Sequence, residues 1–268
     1  MEWFEALLLG LVQGLTEFLP VSSSGHLSIV REWLGVDTEG FLDFTVTVHF
    51  ATVLSTIVVF RAEIWHLLCG LFKFRYNDET DYILKIAVSM IPVGIVGVFF
   101  KDRVEALFGD GLHTVAVFLL VTAVLLCLSD YLAPRIRYVK EHRNGISYWQ
   151  AFVVGLGQAL AVAPGLSRSG TTISLGLVSG VDRKNIAQFS FLMVLVPILG
   201  EQLLDLLHMA GGSAGAGVGL PAMALGFVAA FCSGLFACRV MVALVRRARL
   251  RWFALYCALA AVALLAFA

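Results

Sequence analysis

The stretch Gln13–Leu27 reads QGLTEFLPVSSSGHL. The chain before it, Ala6–Val12, is apolar, and apolar character resumes after it. A Glu, a Pro, three serines, a Gly and a His thus sit where a membrane helix should run. Polar groups left unpaired in hydrocarbon are costly, so such a segment persists only inside protein or beside a water-filled cavity. A second stretch, Gln158–Thr172, reads QALAVAPGLSRSGTT and breaks an apolar run in the same way.

The surrounding chain sets the class. Of 268 residues, 59% are hydrophobic and 14% charged, against about 25% charged in a soluble domain. The expectation is an all-α polytopic membrane protein, one integral membrane domain over residues 1–268. Net charge is zero and no basic face carries interleaved aromatics, which excludes nucleic acid as a partner. The N-terminus, MEWFEALLL, has neither the basic region nor the cleavage site of a signal peptide. The five cysteines are scattered through apolar runs, with no metal or disulfide spacing.

Apolar runs long enough to span lie at Leu42–Phe60, Tyr82–Phe100, His113–Ala133, Ile186–Leu207, Pro221–Val245 and Trp252–Ala268. Trp3–Leu34 and Tyr148–Val178 are the interrupted ones and predict re-entrant hairpins. Glu63–Phe74 is amphipathic. Asn77–Asp81, Pro134–Gly145 and Gly211–Gly219 read as loops.

The order of pieces repeats. Laying Trp3 on Tyr148 aligns Trp3–Gly25 with Tyr148–Gly170 without a gap. Ala6, Gly10, Leu11, Gln13, Leu15, Ser22, Ser24 and Gly25 then meet Ala151, Gly155, Leu156, Gln158, Leu160, Ser167, Ser169 and Gly170. The same shift pairs the spans that follow. Two repeats result, about 1–140 and about 146–268, each a re-entrant hairpin plus three transmembrane helices. An odd number of crossings makes them inverted in topology. Basic residues agree: Arg61, Lys73, Arg75, Arg135, Arg137, Lys140, Arg143, Arg183, Lys184, Arg246, Arg247, Arg249 and Arg251 fall on one side, which is then cytoplasmic. Lys101 and Arg103 fall opposite, with Arg31 near them. The hairpin tips then meet near the midplane.

The tips carry the chemistry. In Pro164–Thr172, Pro and Gly165 let the backbone turn, Ser167, Ser169, Thr171 and Thr172 offer hydroxyls, and Gly170 opens a helix whose N-terminus suits an anion. Arg168, deep in an apolar segment, has a planar fork that matches phosphate oxygens. Pairing with Glu17 purely to hold the hairpins together is the structural alternative. In the first tip, Gln13 and Glu17 share one helix face. A carboxylate and an amide oxygen are oxygen-only donors, suited to Mg²⁺ or Ca²⁺ rather than zinc, with phosphate and water completing the shell. Ser22, Ser23, Ser24 and Gly25 make a second hydroxyl-bearing turn, and His26 can serve as base, acid or nucleophile. Asp43, His49 and Gln188 are intramembrane polar groups equally suited to lining a cavity or to packing. The sum is an oxyanion site, phosphate fitting best, and its place in the membrane makes the rest of the ligand a lipid.

Gln13-x-x-x-Glu17, PVSSSGH at Pro20–His26 and PGLSRSGTT at Pro164–Thr172 resemble the bacitracin-resistance type undecaprenyl-diphosphate phosphatases over nearly the whole chain. The resemblance implies an enzyme of the bacterial inner membrane that removes the terminal phosphate of undecaprenyl diphosphate with Mg²⁺ or Ca²⁺, its site open to the periplasm. It assigns Glu17, Ser23, His26 and Arg168 as catalytic residues and Gln13 with Glu17 as metal ligands. Other members have Glu where Gln13 stands. Ser23 or His26 attacks, or places the water that does; Glu17 takes the proton or ligates the ion. Inverted repeats with broken helices also serve secondary transporters, so a lipid-phosphate flippase is the competing class. The sequence leaves the oligomeric state open, a homodimer included.

Overall fold

The computed structural model describes residues 1–36, 41–100, 103, 104, 106, 107, 111–136, 143–208, 218–247 and 249–267. The described residues form helices and no strand. In chain order the longer ones are α1 (Trp3–Phe18), α2 (Ser23–Leu34), α3 (Phe41–Val59), α4 (Arg61–Leu71), α5 (Asp78–Phe99) and α6 (Gly111–Leu132). They are followed by α7 (Tyr148–Leu160), α8 (Arg168–Val178), α9 (Arg183–His208), α10 (Leu220–Arg247) and α11 (Arg251–Phe267). Among the described residues, four stretches are long and apolar enough to cross a membrane: Phe41–Val59, Asp78–Phe99, Gly111–Arg135 and Leu220–Val245. Arg251–Ala266 is a shorter apolar helix. The expected loop Gly211–Gly219 lies outside the described residues up to position 217.

Asn77–Asp81 is not a loop. Asn77 accepts the Thr80 N–H at 2.8 Å as an N-cap, and Asp78, Glu79 and Asp81 fill the first turn of α5, where a helix end favours negative charge. Asp81 is buried and pairs with buried Lys85 at 2.5 Å. Lys85 also donates to the Arg143 carbonyl at 2.7 Å, and Tyr76 and Tyr148 donate to Asp81.

The broken runs end where Pro and Gly predict. α1 stops at Phe18, and α2 starts only at Ser23; α7 stops at Leu160, and α8 starts at Arg168. Small residues set the packing around them. α1 lies against α10 so closely that a methyl on Gly10 would stand 2.4 Å from the Gly226 carbonyl oxygen. α7 lies against α5, and a methyl on Gly155 would stand 2.3 Å from the Ser89 carbonyl oxygen. α3 runs along α10, α6 along α11, and α8 sits against α6, α7 and α9. Phe18, Phe60, Phe189, Phe191 and Ile173 belong to one buried core beneath the two turns.

Candidate active site

Both turns use one cap. Ser22 Oγ accepts the Gly25 N–H at 3.3 Å, and Ser167 Oγ accepts the Gly170 N–H at 3.1 Å. Ser22 lies 3.3 Å from Ser24, hydroxyl to hydroxyl, and Ser167 lies 3.4 Å from Ser169. Each cap carbonyl also accepts a side-chain bond four residues on, from His26 Nδ1 to Ser22 (2.8 Å) and from Thr171 Oγ1 to Ser167 (2.8 Å). The first residue of each following helix is free to face inward: Ser23 for α2 and Arg168 for α8.

The turns touch. Ser169 Oγ donates to the Leu19 carbonyl at 3.1 Å, a methyl on Gly25 would meet Gly165, and one on Gly170 would meet Pro20. Gly165 has φ 89° and a Cβ there would stand 2.5 Å from the Val115 carbonyl oxygen, so only glycine fits. Ser167 N–H donates to Thr122 Oγ1 of α6 at 3.0 Å, and Thr172 Oγ1 lies 2.7 Å from Ser190 Oγ of α9.

Between the turns is a cavity of about 40 Å³, lined by Glu17, Ser22, Ser23, Ser24, Ser167 and Arg168 among others. Glu17 is its centre. One carboxylate oxygen, Oε2, accepts from Ser23 Oγ at 2.6 Å and from Gln13 Nε2 at 2.9 Å, and His49 Nε2 is 3.8 Å from it. Arg168 and His49 are the basic side chains that bear on this carboxylate. Glu17, Arg168, Ser169 and Thr172 also line a second, mostly apolar cavity reaching toward α9. A larger outward groove, about 390 Å³, shares Ser24 and His49 with the first cavity and carries Arg31, Phe41, Leu107 and Leu112 on its walls.

His26 lines none of these three spaces. Its Nδ1 must carry the proton donated to the Ser22 carbonyl, which leaves Nε2 to accept the Tyr256 hydroxyl at 2.7 Å. The two rings stack at 5.6 Å and 14°. Of the expected residues, Glu17, Ser22, Ser23, Ser24, Ser167 and Arg168 line the first cavity and Ser169 and Thr172 the second, while Gln13, Gly25, Gly165, Gly170 and Thr171 line neither and His26 points to α11. His49, which the sequence left undecided between cavity and packing, faces the chamber. Its Nδ1–H is spent on the Thr45 carbonyl at 2.8 Å, so Nε2 is the atom turned to Glu17.

Among the described residues no group of three His, Cys, Asp or Glu could hold a metal. The oxygen donors at hand are the Glu17 carboxylate and Gln13 Oε1, a buried acceptor with no hydrogen-bond partner. Gln158, the counterpart of Gln13, is buried with neither amide atom paired.

Residues 6–263 match the family model described as bacitracin resistance protein BacA. The chain belongs to the BacA family. It is 54% identical to an undecaprenyl-diphosphatase of Bacteroides fragilis over 98% of this chain and 97% of that one. An undecaprenyl-diphosphatase of Parabacteroides distasonis is 55% identical over 97% and 96%. One of Christiangramia forsetii is 46% identical over 100% and 99%. The BacA match takes in both turns and every residue that faces the chamber.

Proposed function

We infer that this BacA-family chain hydrolyses undecaprenyl diphosphate to undecaprenyl phosphate and inorganic phosphate. In doing so it recycles the cell-wall carrier lipid and confers bacitracin resistance. The observation that carries the reading is the Ser23–Glu17 hydrogen bond facing Arg168 across one small cavity. A hydroxyl on a carboxylate, opposite a guanidinium, is what attack on a phosphoanhydride needs.

Arg168 binds the terminal phosphate in two-point contact, with the N–H groups opening α2 and α8 beside it. Ser23 Oγ attacks the terminal phosphorus and its proton passes to Glu17 Oε2. The bridging P–O bond breaks, and undecaprenyl phosphate leaves as an anion that needs no proton. Water then attacks the phosphoserine phosphorus, the P–Oγ bond breaks as Glu17 returns its proton to Ser23 Oγ, and both hydrogens of the water leave on the departing inorganic phosphate. His26, turned to Tyr256, holds the Ser22 turn that carries Ser23. Gln13, Ser22, Ser24, Gly25, Gly165, Ser167, Ser169, Gly170, Thr171 and Thr172 shape the phosphate site.

Mg²⁺ or Ca²⁺ fits as a partial site: Glu17 and the unpaired Gln13 oxygen would hold it, with phosphate and water completing the shell. The ion would supply positive charge against that of the diphosphate.

The same reading makes the fold two inverted repeats, each a re-entrant hairpin plus three spans, in one membrane domain. Its supports are the matched caps, the matched Gly10 and Gly155 contacts and the crossing of the two turns. The basic residues then put the chain in the bacterial inner membrane with the outward groove facing the periplasm. The test is phosphate release from undecaprenyl diphosphate by protein in detergent, with no gradient. Release that depends on Ser23, Glu17 and Arg168 supports the enzyme; binding without release favours a lipid-phosphate flippase.

A further inference from the structure

The two turns differ in one respect. Ser167, the second cap, has φ −70°, whereas Ser22, the first, has φ 69°, a conformation unfavourable for a residue with a side chain. Such a conformation lasts only where its surroundings hold it. In the second turn the cap carbonyl is engaged by Thr171, a side chain with no need of an outside partner. In the first turn that place is taken by His26, and His26 is itself gripped from another helix. Tyr256 donates to its Nε2 and stacks on its ring, and the neighbouring Cys257 Sγ lies 3.5 Å from the Pro20 carbonyl. Consecutive residues of α11 thus hold the Pro20–Ser22 bend, Cys257 directly at Pro20 and Tyr256 through His26 at Ser22. Ser23, whose hydroxyl reaches Glu17, is the next residue.

We propose that Tyr256 is a positioning residue for the phosphatase reaction: acting through His26, it holds the strained Ser22 turn that aims Ser23 at Glu17. The proposal rests on the reading above, in which Ser23 attacks. The tyrosine hydroxyl fixes His26 as the tautomer with its proton on Nδ1, and that proton pins the Ser22 carbonyl. Without the hydroxyl the imidazole can rotate or exchange tautomers, the second bond to Ser22 is lost, and Ser23 drifts from the line of attack. Drift of this kind lowers the rate of the chemical step while leaving the phosphate-binding groups of α8 in place. The remainder of Tyr256 is half-exposed along α11 and takes no part in the chamber.

The experiment is steady-state phosphate release by purified full-length protein in detergent, for Tyr256→Phe, Tyr256→Leu, His26→Asn, the double variant Tyr256→Phe/His26→Asn, and Ser23→Ala and Arg168→Ala as controls. Tyr256→Phe keeps the ring and removes only the hydroxyl. It is expected to lower kcat about tenfold, with KM within about twofold and the thermal midpoint unchanged. His26→Asn keeps a donor for Ser22 but cannot reach Tyr256, so the double variant is expected to be no slower than the slower single variant. Turnover of Tyr256→Phe within twofold of the parent overturns the proposal, as does a rise in kcat, the result if Tyr256 only masked a reactive His26 nitrogen. Multiplicative losses in the double variant, or a loss confined to Tyr256→Leu with a lowered midpoint, overturn it too. If Ser23→Ala and Arg168→Ala keep turnover, the phosphatase site itself is misassigned and this proposal falls with it. If they lose turnover and Tyr256→Phe does not, the site stands and only the role of Tyr256 is refuted.

Discussion

Glu17 carries two donors on one oxygen, and this decides what its neighbours can do. With Ser23 at 2.6 Å and Gln13 at 2.9 Å on Oε2, the carboxylate is held in the orientation in which, on the proposed mechanism, it takes the proton of the Ser23 hydroxyl. Glu17→Gln keeps the volume but cannot accept a proton, and a loss of on the order of a hundredfold or more in kcat is expected. Arg168→Ala should lower kcat by about a hundred- to a thousandfold. Arg168→Lys, which keeps charge without the fork, should recover only part of that in the same phosphate-release assay. EDTA should suppress turnover, and added Mg²⁺ or Ca²⁺ should restore it. Ser23, Glu17 and Arg168 were legible in the sequence because each is a residue type that hydrocarbon tolerates only for a reason. His49 was not, since a histidine four residues after Thr45 on an apolar helix reads equally well as one satisfied by the backbone. Which face of α3 turns to Glu17 is decided by packing on α10 and α9. Nor could the direction of the His26 ring be read, because its partner lies 230 residues away in an apolar run.

Backbone geometry holds the elements around the site, and a buried ion pair secures α5 farther off. Gly165→Ala places a methyl against the Val115 carbonyl at φ 89°. A loss of roughly 1–3 kcal/mol in stability is expected from the conformation alone, seen as a lower thermal midpoint together with lower turnover. Away from the chamber, Lys85→Met strands the buried Asp81 carboxylate. It should destabilise by about 3–5 kcal/mol, and Asp81→Asn in the same chain should return much of that. The hairpins were readable from Pro, Gly and hydroxyls crowded into apolar runs. The Asp81–Lys85 pair was hidden because the acidic run Asp78–Asp81 resembles a solvated loop, while Asn77 and the helix end make it a first turn.

At the scale of the molecule, the two halves use shared glycines for the same task, Gly10 against α10 and Gly155 against α5. The positions on which the proposed mechanism rests are ones that differ between the halves: Ser23 and Arg168 open equivalent helices, and Glu17 has an apolar counterpart in Val162. Cysteines placed one at a time at position 2 and at Arg135 should react with a membrane-impermeant reagent from opposite sides of oriented vesicles. Labelling of both from one side would refute the inverted arrangement.

Ser169 reaching the Leu19 carbonyl has a bearing on how the protein is made. The first turn leaves the ribosome about 145 residues before its mate, which at roughly 5–20 residues per second is a delay of roughly 7–30 seconds. Through that interval Glu17 and its serines have only Gln13, His49, each other and water as partners, so the nascent first turn should stay at the bilayer surface or within the insertion machinery. It should settle only after residues 164–172 have been made, and the contacts of Tyr256 and Cys257, later still in the chain, would complete it last.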